Sequence, residues 1–329
     1  MKKLINRPED VVPELLEGFV LAHPGKVCLT DKNLVKRANP KASGKVGIVT
    51  LGGSGHEPGL SGFVGEGMLD ISVPGEIFAA PGAPRCLDAI RLADRGAGVL
   101  FIVLNHSGDV LSANMTMGMA QREGLNVKKI VTHEDVAGGA NPEDRRGLVG
   151  FLPVYKVAGA AAEEGCSLDK CLELAERMER NMRTLAVALT TATHPSTGQP
   201  IFTLADDEME IGMGQHGEAG TGRMKLKTAN ETAELMLPTL LEPLQVKSGE
   251  ELLVIVNGAG ATTLMELFIF FRRVHQILAE KGIKVARSKV GEFITTQEQG
   301  GLQLMIARMD SELLHFWDTP CDTPYFVAR

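Results

Sequence analysis

The stretch KVGIVTLGGSGHEP, residues 45–58, decides the fold class. Its first half is a β-branched apolar run of strand length, and its second half is a glycine-rich turn. The same succession recurs where GVLFIVLN at 98–105 runs into the polar turn that ends in Asp109. Helical patterns over 84–95 and 109–123 separate these runs from each other and from NVKKIV at 126–131. Strands alternating with helices predict an α/β domain with a largely parallel sheet. Ligands of such sheets bind beyond the carboxyl ends of the strands, so GGSGHEP at 52–58 and NHSGD at 105–109 are the first candidate site loops.

Further along, a helical stretch over 167–182 gives way to the strand-like TLAVALTTAT at 184–193. A domain boundary near 182 follows, with an N-terminal domain 1–182 carrying both loops and a C-terminal domain 183–329. The second half offers EIGMGQHGEAGTG at 210–222, a helix over 228–241, ELLVIVNG at 251–258, a helix over 262–281, and strands near 284–290 and 302–309. It too reads as α/β, with a mixed sheet. No internal repeat or low-complexity tract interrupts the pattern.

With 329 residues, 44% of them hydrophobic, the chain can bury a full core in two domains. A net charge of -7 argues against nucleic acid or an anionic membrane as the main partner and leaves a small molecule or a protein. The five cysteines (Cys28, Cys86, Cys166, Cys171 and Cys321) lack paired spacing, which reads as reduced thiols in a cytoplasm rather than a disulfide or zinc framework. The N-terminus turns polar too early for a signal peptide. The longest apolar runs, such as 252–256 and 99–104, are too short to span a bilayer.

GGSGHEP satisfies neither of two familiar signatures. A nucleophile elbow needs glycine two residues after its serine, where His56 follows Ser54. A phosphate-cradling loop needs Gly-Lys-Ser/Thr, a triplet this chain lacks, so no nucleotide site is indicated. Gly52, Gly53 and Gly55 allow close backbone approach with exposed N–H groups, and His56 can point into the same space, which suits a small oxygen-rich ligand. A plain glycine turn with a solvent-facing histidine fits the local pattern equally well.

In the second loop Asp109 can cap the following helix, the stronger reading on sequence alone, or accept a proton from a substrate hydroxyl. His106 can join it or be incidental. In EIGMGQHGEAGTG the Gly212-x-Gly214-x-x-Gly217 spacing formally matches a dinucleotide fingerprint, but the glycine loop continues where that motif needs an immediate helix, so a cofactor site is rejected. His216 stands there among small residues with Glu218 near enough to orient it. Its neutral imidazole can add to a carbonyl carbon and form a hemiaminal, although a histidine that merely hydrogen-bonds backbone is the stronger reading locally. The acidic run Asp206, Asp207, Glu208 and Glu210 reads as a solvated turn rather than a metal site, and the segment 257–260 as a strand-to-helix turn.

Taken together, these segments resemble the substrate-binding subunit of bacterial dihydroxyacetone kinases over essentially the whole chain. Beyond the three loops, GFVGEGMLD at 62–70, GEIFAAPGAP at 75–84, RRGLVG at 145–150, KVAGAAAEEG at 156–165, VNGAGATTLMELFI at 256–269 and the C-terminal WDTPCDTPY carry the resemblance. It implies a homodimer of two-domain α/β subunits that binds dihydroxyacetone as a hemiaminal on His216. It also implies His56 and Asp109 as catalytic residues, with Gly53, Ser54 and Gly55 lining the substrate. The resemblance further implies that ATP, or ADP recharged by the phosphotransferase system, is held with Mg on a helical partner subunit. No cofactor or metal is then expected on this chain, which is inactive without that partner.

Three positions depart from the family pattern. Many members have histidine at Leu60, lysine at Leu104 and tyrosine at His106, so the pocket margin differs here. Leu104 offers no donor to a substrate oxygen. Erythrulose is therefore an alternative substrate, and a ketone-sensing co-regulator is the alternative of a different class.

Overall fold

The computed structural model describes residues 2–218 and 220–329. Along the chain come α1 (Val11–Ala22), β1 (Val27–Leu29), β2 (Val35–Arg37), β3 (Gly47–Ser54), β4 (Ile71–Ile77), α2 (Ala83–Ala93), β5 (Val99–Leu104), α3 (Ser107–Arg122) and β6 (Val127–Thr132). Next are α4 (Phe151–Glu164), α5 (Leu168–Arg180), β7 (Met182–Ala188), β8 (Glu208–Ile211), β9 (Gly222–Lys225), α6 (Ala229–Leu244) and β10 (Glu251–Gly258). The chain closes with α7 (Leu264–Glu280), β11 (Lys284–Gly291), β12 (Gly301–Arg308), α8 (Ser311–Asp318), β13 (Cys321–Asp322) and β14 (Val327–Ala328).

Packing sorts these elements into two units. One comprises the chain up to Thr132, Phe151–Met178 and Glu312–Arg329, and the other His133–Gly150 and Glu179–Ser311. The chain crosses between the units after Thr132, Gly150, Met178 and Ser311, so each unit contains excursions that a single cut near 182 does not describe. Local pattern marks where an element ends, whereas unit membership depends on which core that element joins.

The first unit's sheet has the order β1-β2-β4-β3-β5-β6. Strands β4, β3, β5 and β6 run parallel, while β1 and β2 pair antiparallel at one edge. Val49, Leu51, Phe101 and Val103 pack with Cys86, Ile90 and Ala113 of α2 and α3. The alternate residues Ile48, Thr50, Leu100 and Ile102 are buried as well. Thr50 donates to the Ile102 carbonyl, so the Tyr155 hydroxyl of α4 donates to Thr50 across 2.6 Å. Burial of both strand faces explains why these runs are apolar without alternation.

Helix α4 is buried throughout Phe151–Ala162. A Cβ on its Gly159 would lie 2.4 Å from Met68 Cα and 2.5 Å from Met68 O, so helix and loop are in backbone contact. Buried Lys156 donates to the Phe316 carbonyl at 2.7 Å, and desolvation pushes its ammonium down to about 8.

The second unit's sheet has the order β11-β10-β12-β7-β8-β9, parallel only between β10 and β11. Its mixed character is as expected. Val254, Val256, Leu304 and Ile306 meet Leu237, Leu240, Phe270 and Val274 of α6 and α7. Both helices start in a capping box, Thr228 with Glu231 and Thr263 with Glu266. Among the described residues no helix is long and apolar enough to cross a membrane.

Glu134 ties an excursion to this unit. Its Oε1 accepts the Leu148 and Gly150 N–H groups at 2.7 and 2.9 Å, its Oε2 is buried with no hydrogen-bond partner, and burial pushes the carboxyl up to about 7.

Two stability outcomes are expected. Gly159→Ala should lower unfolding free energy by about 1–3 kcal/mol through overpacking. Gly118→Ala, on the exposed face of α3 with open space around its Cβ position, should raise it by up to about 1 kcal/mol; urea titration compares the two. For Glu134 burial raises the folded pKa to about 7, above the ordinary carboxylate range, so its contribution is complete below the unfolded pKa and is lost as pH rises through about 7. The stability difference between the native chain and Glu134→Gln should therefore change by about 2–3 kcal/mol between roughly pH 5 and 8, and no change would refute the assignment.

Candidate functional site

In the first unit the loop after β3 is set by contact between backbones. A Cβ on Gly53 would sit 2.7 Å from Ala79 N, and one on Gly75 would sit 1.9 Å from Ala79 O. The Phe78 N–H donates to the Ser54 carbonyl at 2.9 Å, and the Ser54 hydroxyl donates to the Gly75 carbonyl at 2.8 Å. Ser54 thus braces the loop. Gly55 turns the chain at φ +96°, a value open to glycine at little cost. Its N–H is not exposed as expected: both oxygens of Glu57 accept it at 3.1 Å. Burial raises the Glu57 carboxyl despite this bond.

His56 is 5% exposed, with its ring centroid 5.2 Å from that of Phe78. The solvent-facing alternative is therefore excluded. Phe78 itself has φ +57°, a left-handed conformation that the surrounding backbone contacts impose.

Asp109 is not the cap of α3. The N-cap is His106, and Asp109 lies in the first helical turn, 7% exposed. Helix N-terminal N–H dipoles favour a carboxylate there. A Cβ on Gly108 would meet Ala80 Cβ at 3.3 Å, and Ser112 donates to the Pro81 carbonyl. Cys86, at the start of α2, is pushed up to about 12, mainly by burial, and the charge of Asp109 adds to the shift. The loops after β3, β4 and β5 therefore converge on residues 78–81 and bring His56 and Asp109 to one edge of the sheet. Leu104 ends β5, and Leu60 caps the short 3-10 turn 61–63 that follows the β3 loop; both are buried.

In the second unit β8 and β9 flank the loop that carries His216, so a strand follows its glycines. Ala219 lies outside the described residues. The Glu218 carboxylate accepts the His216 N–H at 2.8 Å and contacts ring Nδ1 at 3.2 Å. Burial opposes ionisation of Glu218, but the His216 hydrogen bonds and ring charge outweigh it and hold the carboxyl far below its usual range. An ionised carboxylate only accepts, so Nδ1 carries the proton and the lone pair of a neutral ring lies on Nε2.

The polar partners of this loop and its surroundings were not foreseen in the sequence. Arg146 donates from Nη2 to the Gly212 carbonyl at 2.6 Å and from Nε to buried Asp135 at 2.8 Å. Gln215 donates to Thr295 O and Thr296 Oγ1 at 2.7 and 2.9 Å and accepts from Gln303 at 2.9 Å. Glu210 is buried, unlike the rest of the solvated acidic run, and accepts from Gly220 N–H and Arg223. Asn257 is structural, its Oδ1 accepting from Phe293 and Ile294 N–H. None of these leaves a local periodic signal, because each partner is distant along the chain.

Fold and loops together define an α/β protein of two sheets with polar residues grouped beyond strand ends. The Dak1 domain matches residues 17–325. The dihydroxyacetone-binding subunit DhaK of a PTS-dependent dihydroxyacetone kinase from Lactococcus lactis subsp. lactis (strain IL1403) is 40% identical over 314 residues, 94% of each chain. An L-erythrulose kinase from Pectobacterium atrosepticum is 38% identical over 332 residues, which are 99% of this chain and 56% of that protein. A solved structure, the dihydroxyacetone kinase operon co-activator Dha-DhaQ, has a TM-score of 0.90 at 32% identity and covers 96% of this chain and 98% of that one. The chain belongs to the Dak1 family, among the DhaK-type subunits.

Arg146→Ala should strip Asp135 of its counter-charge, at a cost of about 3–5 kcal/mol to that local structure. Hydrogen exchange should then quicken at the Gly212 and Gly214 amides while those of β10 keep their protection. Unchanged exchange across 212–218 would show that Arg146 does not hold the loop.

Proposed function

We propose that this chain is the ketose-binding subunit of a dihydroxyacetone-type kinase and that it captures its substrate covalently on His216. The observation that carries this is the Glu218 carboxylate on Nδ1, which leaves Nε2 as the nucleophilic nitrogen. Nε2 adds to the ketone carbon, the C=O π bond breaks, and its electron pair moves to the oxygen. The ring becomes cationic, and ionised Glu218 stabilises that charge. Transfer of a proton from the ring to the new alkoxide through solvent yields the neutral hemiaminal. A simple alcohol has no carbon able to accept this addition.

Gly53, Ser54 and Gly55 line the substrate in this reading, and His56 and Asp109 take the proton of the primary hydroxyl as it attacks a phosphoryl group. A helical partner subunit supplies that group from ATP, or from ADP recharged by the phosphotransferase system, with Mg. The chain works as a cytoplasmic homodimer and is inactive alone. The name of the Lactococcus relative supports the ketone-binding role.

Two observations favour narrower variants. Leu104 presents no donor, and an L-erythrulose kinase matches nearly the whole chain, which points to a longer ketose. Likeness to a co-activator supports a sensing role that keeps His216 but needs no proton acceptor.

Native mass spectrometry after incubation with dihydroxyacetone or erythrulose should show a mass gain of one ketose that His216→Ala abolishes. An adduct that persists in that variant refutes capture at His216. With a purified nucleotide-carrying partner, Asp109→Asn should cut phosphorylation by about 10²–10⁴-fold while the adduct still forms. Full activity in that variant removes Asp109 from catalysis.

A further inference from the structure

Helix α7 carries apolar residues on two sides over its first turns. Leu267, Phe270 and Val274 enter the core, while Leu264, Met265, Phe268 and Ile269 are between 45% and 67% exposed. Residues four apart, 264 with 268 and 265 with 269, adjoin on a helix surface. No other helix among the described residues exposes more than two large apolar side chains. Scattered singly, such residues need no explanation, but four together form a patch on the order of a few hundred Å², the size of interaction sites.

This face begins at the edge of the sheet that carries His216. Ile211, where β8 ends, pairs with Val187; Ala188, where β7 ends, pairs with Gly301; and Gly258, where β10 ends, pairs with Leu302. The loop after β8 and the turn from β10 into α7 therefore leave the sheet at one end. Thr296 ties them together: its hydroxyl donates to the Gln215 carbonyl at 2.9 Å and its N–H to the Ala259 carbonyl at 2.8 Å. Gln215 precedes His216, and Ala259 stands just before Thr263, the N-cap of α7. One turn beyond Phe268, exposed Arg272 donates to Asn230 Oδ1 at 3.1 Å, and among the described residues no carboxylate pairs with it. The face thus matches an apolar surface with a carboxylate at one margin. A stable two-chain interface takes about 800 Å² from each partner, more than these side chains offer, so the face suits a chain that docks and leaves. We infer that the nucleotide-carrying subunit docks on Leu264, Met265, Phe268 and Ile269, with an acidic group against Arg272. This rests on the reading above, in which the phosphoryl group reaches a ketose on His216 from another chain.

Titration calorimetry of the full chain with its purified nucleotide-carrying subunit, loaded with ADP and Mg, tests this. Phe268→Glu should weaken binding of that subunit by at least about tenfold. Arg272→Gln should weaken it by about threefold and flatten its decline with added salt. In the coupled kinase assay Phe268→Glu should raise the Michaelis constant for the subunit by a similar factor and leave kcat unchanged at saturation. Both side chains face solvent, and thermal unfolding confirms that the variants are folded. Affinity unaltered by Phe268→Glu, or no binding by the native chain, overturns the inference. So does a loss of dimer mass in Phe268→Glu on light scattering, since a second copy then covers this face. Ketose capture is read separately by native mass spectrometry. The mass gain of one ketose should persist in Phe268→Glu, and its loss in that variant alone overturns the inference, because α7 then acts through the His216 loop. Its absence from the native chain instead refutes capture at His216, while docking is still decided by calorimetry.

Discussion

Contact between the backbones beyond β3 and β4 is the constraint on which the first unit's site depends. Gly53 and Gly75 both face the Phe78–Ala79 segment at distances that no Cβ could occupy. Only with glycine at both positions can the connection from β4 to α2 lie against the end of β3. That connection supplies the ring on which His56 packs, the residue that Gly108 approaches and the carbonyl that Ser112 binds. Glycine gives up more chain entropy on folding than any other residue, so the arrangement is costly unless surrounding strands hold it. Here β3 and β4 are buried interior strands, and their ladder shifts register between Gly52 and Ser54, where Gly53 and Gly75 lie.

The second unit reaches the same end by different means. Its His216 loop has too few side chains to pack itself, and buried polar groups from outside the loop hold it. Arg146 and Asp135 come from the excursion 133–150, Gln303 from β12, and Glu210 from the strand that leads in. Charge-assisted bonds of this kind are short and directional, which suits holding a glycine-rich loop in one conformation. The same low-dielectric setting that strengthens them makes the loss of one partner expensive.

Much of the fold was legible because two-sided burial and amphipathic periods leave local marks. ELLVIVNG coincides with β10, and the runs at 98–105 and 126–131 lie over β5 and β6. Helix α4 was not recognised as a helix, since a helix buried on all sides has no polar face to mark its period. Strand β4 was hidden by Pro74, which the sheet accepts because pairing with β2 ends at Ser72. The short β1 and β2 carry too few residues to show any period.

By itself, the sequence determined the α/β class, the place of two candidate loops beyond β3 and β5, and the family, because these rest on residue order and short-range spacing. It named His56, Asp109 and His216, but not their settings. Only the tertiary structure decided that His56 is buried against Phe78, that Asp109 sits within the first turn of α3 and not at its cap, and that Glu218 sets its carboxylate on Nδ1 of His216. The physical reason is range. Propensity and periodicity act over one or two turns of chain, whereas protonation, tautomer and burial follow from neighbours such as Arg146 and Phe78 that only folding brings near.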